Sequence, residues 1–136
     1  MNKKQSISLI VILTFPFYVF AFNYDNNKKN EVLDKKLRTV ANEEREKLPL
    51  DIGNSTTWVK VEYNKFKFKY VYIVDTSKIE WNPSFYKESI NYSLKEICNQ
   101  LKDEIRNDIQ YEYEYQDEKN NKLVNFTANK KRCSNL

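Results

Sequence analysis

The stretch Trp58-Val59-Lys60-Val61-Glu62-Tyr63-Asn64-Lys65-Phe66-Lys67-Phe68-Lys69-Tyr70-Val71-Tyr72-Ile73 decides how this chain folds. Apolar and charged side chains alternate through it with a period of two, the signature of strands with one buried face. The inward set is Val59, Val61 and Tyr63, then Phe66, Phe68, Tyr70 and Tyr72. The outward set is Trp58, Lys60 and Glu62, then Lys65, Lys67, Lys69, Val71 and Ile73. A turn centred on Asn64-Lys65 puts Tyr63 opposite Phe66, Val61 opposite Phe68 and Val59 opposite Tyr70. On the other face it sets Glu62 against Lys67 and Trp58 against Val71. Slipping the register by one residue would turn every apolar side chain to the wrong face. The turn carries no glycine, so its type is not specified by composition.

Downstream, Asn82-Pro83 opens a helix with a capping side chain followed by a proline in the first turn. Phe85, Tyr86, Ile90, Leu94, Ile97, Leu101 and Ile105 form its apolar stripe, and Cys98 lies within that stripe. A second alternating pair follows. Tyr111, Tyr113 and Tyr115 alternate with Glu112, Glu114 and Gln116, and a polar loop leads to Val124 and Phe126. Tyr115 opposite Val124 also places Tyr113 opposite Phe126. Upstream, Leu33, Leu37, Val40, Ala41 and Leu48 recur at helical spacings until Pro49 ends the pattern. The predicted fold is α+β, in the order α-β-β-α-β-β. Two hairpins make a four-stranded antiparallel sheet with both helices packed on one face.

The N-terminus predicts export. Lys3 and Lys4 precede an apolar run over 9–22, and Val19-Phe20-Ala21 suits a signal peptidase. Residues 1–21 read as a signal peptide, 22–29 as a flexible lead-in and 30–136 as a single domain. The run is short for a spanning helix, which needs about 20 residues, and contains Pro16. No cysteine lies near the cleavage point, so lipid attachment there is not expected, and no stable membrane anchor remains after cleavage. The expected location is periplasmic or secreted. Loss of Lys3 and Lys4 lowers the net charge from +4 to +2, too little to predict a nucleic-acid partner. The two cysteines, Cys98 and Cys133, read as a disulfide in an oxidising compartment.

The available chemistry is narrow. The chain contains no histidine and no glycine-rich phosphate loop. Neither a histidine-based triad nor a histidine metal site can form. No metal and no cofactor is predicted. Glu112 and Glu114 are the one carboxylate pair that could act on a cell-wall glycan. The competing reading pairs them with Lys67 and Lys69 across neighbouring strands on a wet face. The tyrosine stripes read either as core or as an exposed platform for a glycan or small ligand. Trp58, Val71 and Ile73 gather at one end of the otherwise charged outer face; such a patch either binds another protein or is covered by a terminus or loop of the chain itself.

Leu37-Arg38-Thr39-Val40-Ala41-Asn42, Leu48-Pro49, Ile97-Cys98, the strand Tyr111-x-Tyr113-x-Tyr115-x-Asp117 and a terminal Cys133 together resemble a group of small exported bacterial proteins. The resemblance spans most of residues 22–136 and implies a Gram-negative periplasm. It carries no catalytic residue. The chain departs from the group in having no glycine between Asp117 and Lys122. The expected function is a non-enzymatic, exported protein-binding domain, either an inhibitor or immunity-type partner or an accessory of an envelope machine. Its partner would be another protein in the envelope or outside the cell.

Overall fold

The computed structural model describes residues 31–80 and 82–136; the expected signal peptide and lead-in lie outside them. The order is α1 (Glu31–Arg45), β1 (Leu50–Gly53), β2 (Thr56–Asn64), β3 (Lys67–Val74), α2 (Pro83–Gln100), α3 (Lys102–Arg106), β4 (Gln110–Asp117), β5 (Lys122–Ala128) and α4 (Lys130–Ser134). The α+β class is as expected. The sheet is larger than expected, with five strands in the order β1-β2-β3-β4-β5. β1 is an added four-residue edge strand, and β3 pairs with β4 in parallel.

The parallel pair corrects the expected all-antiparallel sheet. Residues 75–109 leave the end of β3, pass through α2 and α3, and return to the start of β4. A helical crossover of this length brings the next strand in alongside and parallel. The two hairpins keep their internal antiparallel pairing, and in the second Tyr115 faces Val124 and Tyr113 faces Phe126 as expected.

The first hairpin forms one residue later than expected. Its two-residue turn is Lys65-Phe66, both at positive φ, between Asn64 and Lys67. Val61 therefore faces Tyr70 and Tyr63 faces Phe68. Between Lys60 and Val71 this is a shift of two in the pairing, which keeps those side chains on their faces. Positive φ at a bulky residue is costly, and a local contact holds it here. The Phe66 N–H donates to the Tyr63 hydroxyl at 3.0 Å, and that hydroxyl donates to Asp34 Oδ1 of α1 at 2.7 Å. In the second hairpin Asn120 takes the positive φ that a glycine would. Asp117 Oδ1 accepts from the backbone N–H groups of Lys119 and Asn121.

Asn82 caps α2 as expected, accepting from the Ser84 N–H at 3.0 Å. Leu33, Leu37 and Ala41 of α1 and Leu94, Ile97 and Leu101 around α2 join one core with the aromatic face of the sheet. Across the parallel pair Phe68 stacks on Tyr111, Tyr70 on Tyr113 and Tyr72 on Tyr115, with ring centroids 5.4, 5.4 and 4.8 Å apart. Tyr113 extends the row to Phe126 at 5.2 Å. Offset stacking at these distances adds to the gain from area burial. The tyrosine stripes are core. The alternative of an exposed tyrosine platform is corrected, because Tyr70, Tyr72, Tyr111, Tyr113 and Tyr115 are all fully buried.

One carboxylate enters this core. Glu44, at the last turn of α1, is 1% exposed and hydrogen-bonds the Tyr70 hydroxyl. Desolvation pushes its pKa up to about 8, against the lowering effects of Tyr70 and Arg45. The native state therefore holds a proton that the unfolded chain releases above about pH 4.5. Stability falls as pH rises through the window from 4.5 to 8, by up to roughly 1.4 kcal/mol per pH unit. Glu44→Gln removes this slope. Urea titrations at pH 4.5, 6 and 8 should show the variant gaining on wild type at each step.

Candidate functional site

The residues expected to form a partner patch do not come together. A bulge between Trp58 and Lys60 leaves Val59 without a register partner and turns Trp58 inward, paired with Tyr72. Trp58 is 3% exposed and packs on Tyr70 and Tyr72 at ring distances of 5.7 and 6.4 Å. Its indole N–H donates to the Lys60 carbonyl at 3.2 Å. Val71 stays on the outer face between Lys60 and Glu114 in register, but is only 5% exposed. Ile73 keeps partial exposure. The placement of Trp58 on an exposed outer face is thus corrected. Strict alternation puts Val59 inside, whereas the fold buries the larger indole through one extra residue.

The outer face carries an ion lattice. Lys67 Nζ lies 2.8 Å from Glu112, and Lys69 Nζ lies 3.5 Å from Glu112 and 3.6 Å from Glu114. Lys122 reaches Glu114 at 3.4 Å, and Asn125 donates to Glu112 at 2.8 Å. Partial burial alone would raise the Glu112 pKa. Hydrogen bonds from Lys67 and Asn125 and the Lys67 and Lys69 charges outweigh it and hold the pKa at about 2. Glu114 is also lowered: its burial is outweighed by Gln116, Lys69 and Lys122. A glycoside hydrolase needs one carboxyl kept protonated as general acid. Here both are held ionised, so the pair does the cross-strand work that the lysine spacing implied. A depressed native pKa contributes stability that is full above the unfolded value and lost as pH falls through about 2. Glu112→Gln should cost about 1 kcal/mol at pH 7 and only a small part of that at pH 2, where the native carboxyl is about half protonated. Denaturant titrations at the two pH values check this.

At the far end of the helices the expected disulfide is present, with Cys98 of α2 bonded to Cys133 of α4 and a Cα–Cα distance of 5.6 Å. Asn129 starts α4 by accepting from the Arg132 N–H at 2.8 Å. The bridge ties α4 beside α2 and α3, and a cleft of about 500 Å³ opens between them. One wall carries Lys95, Lys102 and Arg106, the other carries Lys130, and Ile105 and the disulfide supply apolar surface. No acidic side chain lines it. This cleft is not directly legible in the residues, because its two walls are about 30 residues apart and meet through the bridge. The available signal was the helical spacing of Lys95, Asn99, Lys102 and Arg106 on one stripe.

The whole arrangement has counterparts of known structure. The type II secretion pilotin EpsS of Vibrio vulnificus superposes with a TM-score of 0.62 at 12% identity, over 75% of this chain and 92% of that one. The likeness is one of fold. The pilotin AspS of Vibrio cholerae superposes with a TM-score of 0.55 at 13% identity, over 76% and 91% of the two chains. A Pseudomonas aeruginosa protein assigned as secreted gives 0.58 at 15% identity, over 75% and 93%. No family model matches the sequence, and no curated protein matches it significantly. The fold thus agrees, at the level of architecture only, with the expected resemblance to small exported bacterial proteins. Among the described residues it holds no cluster of His, Cys, Asp or Glu arranged to bind a metal ion.

Proposed function

We propose that this chain is an exported, non-enzymatic accessory of an envelope machine, and that it acts by binding another protein of that machine. The observation that carries the reading is the fold shared with two type II secretion pilotins over more than nine-tenths of each neighbour. The ionised, lysine-paired state of Glu112 and Glu114 agrees with it, since the one carboxylate pair considered for catalysis supplies no general acid. The signal expected at 1–21 supports export, and the Cys98–Cys133 bridge suits an oxidising compartment. The partner is a protein of the envelope, and an inhibitor or immunity role is the competing member of the same class.

The test is chemical cross-linking in the producing cell, followed by purification of the tagged chain and mass spectrometry of the linked peptides. The expected result is a reproducible cross-link to a component of a secretion or other envelope-assembly complex. Cross-links to an exported toxin or enzyme would instead assign the inhibitor role. Cross-links no different from those of an unrelated exported domain would contradict both.

A further inference from the structure

We infer that the cleft built around the Cys98–Cys133 bridge is the docking site for an acidic segment of the partner protein. This rests on the protein-partner reading above and names the surface and the chemistry. Lys95, Lys102 and Arg106 stand at positions i, i+7 and i+11 along α2 and α3, and Lys130 faces them from α4. Among the described residues no carboxylate lies within ion-pair distance of Lys95, Lys102 or Arg106. Lys130 has one long contact, 3.9 Å to Asp108, which does not line the cleft. This contrasts with the outer face of the sheet, where Lys67, Lys69 and Lys122 are each matched to Glu112 or Glu114. Like charges gathered around a concave surface focus the field into it and attract the opposite sign.

The shape selects a polymer rather than a small anion. From Lys95 to Arg106 the charged wall runs about 16 Å at 1.5 Å per residue. That length matches three turns of helix or about five residues of extended chain. A single phosphate or headgroup would engage only one end of it. Ile105, the disulfide and the exposed Leu136 provide apolar surface between the cations. The fitting occupant therefore carries several carboxylates around an apolar side chain, which is protein chemistry.

The probe is a fluorescein-labelled twelve-residue peptide, Glu-Glu-Leu repeated, measured by fluorescence anisotropy against the intact oxidised protein at several salt concentrations. Wild type should bind it, and the affinity should fall steeply with salt. Lys102→Glu/Arg106→Glu should weaken binding at least tenfold. Lys35→Glu/Lys119→Glu makes the same change in net charge away from the cleft and should leave binding within twofold. Far-ultraviolet circular dichroism verifies that both variants are folded. Equal loss in the two variants would mean a net-charge effect and overturn the proposal. So would no binding by wild type, or binding only to phosphatidylglycerol vesicles, which would assign the cleft to a lipid surface. In the producing cell, a gene deletion is complemented with each variant and protein release is measured. Failure of the cleft variant alone supports the docking site. Full rescue by both variants overturns the docking site and leaves the accessory role standing. A deletion without effect on release removes the accessory role itself.

Discussion

Trp58→Ala lowers the stability of the domain by about 3–5 kcal/mol, the range for truncating a buried aromatic side chain. The indole is 3% exposed and packs against Tyr70 and Tyr72, so its loss leaves a cavity at one end of the aromatic row. A surface tryptophan with a binding role would change stability by no more than about 0.5 kcal/mol. The same substitution thus separates the two placements of this residue. A domain of this size holds about 5–15 kcal/mol in all, so the variant is left marginal. Urea denaturation followed by circular dichroism should show a much lower midpoint with an unchanged slope. A midpoint within error of wild type would return Trp58 to the outer face.

Cys98→Ser/Cys133→Ser costs roughly 4 kcal/mol in the chain-entropy treatment of a 35-residue loop. Most of this arises in the unfolded chain, which gains freedom when the two ends of the loop are released. A native-state effect adds to it. α4 has only five residues, and the bridge holds it beside α2 together with the Asn129 cap, the packing of Cys133 against the core and the Lys130–Asp108 contact. Wild type treated with a reductant should behave like the double variant. Urea titrations should show both a lower midpoint and a steeper slope, since the unbridged chain exposes more surface on unfolding. Equal midpoints with and without reductant would contradict the estimate. The double variant should also lose the acidic peptide, because the cleft has the bridge as part of its wall.

Much of this fold was legible in the residues, and the misses have physical causes. The Tyr115–Val124 and Tyr113–Phe126 pairs were readable because one register satisfied both tyrosines at once. Asn82-Pro83 was readable because a cap and an N-terminal proline act locally. The parallel pairing of β3 and β4 was not readable, since alternation over Phe68–Tyr72 and Tyr111–Tyr115 is identical for either direction of approach. β1 is not legible in the residues because Leu50–Gly53 is a four-residue edge strand that is mostly exposed and shows no alternation. The bulge at Val59 was hidden for the opposite reason, since the surrounding alternation is so regular that one extra residue leaves no mark in it.

The site shows the same division. Glu112 and Glu114 were readable as partners of Lys67 and Lys69, because strand alternation puts all four on one face. The cysteine pair was readable from export and parity. The cationic cleft was not, because it exists only where α4 is drawn against α2 and α3 by that pair. Its charge is visible in the sequence as scattered lysines on a solvated helix face, and only their convergence with Lys130 makes them a site.

The most direct test of the central claim is the amount of protein released by the producing cell when this gene is deleted and then restored. The accessory role predicts a several-fold fall in the release of at least one exported protein, or in the assembly of one envelope complex, with recovery on restoring the wild-type gene. Release and assembly that stay at the wild-type level in the deletion, by quantitative mass spectrometry of medium and envelope fractions, would contradict it.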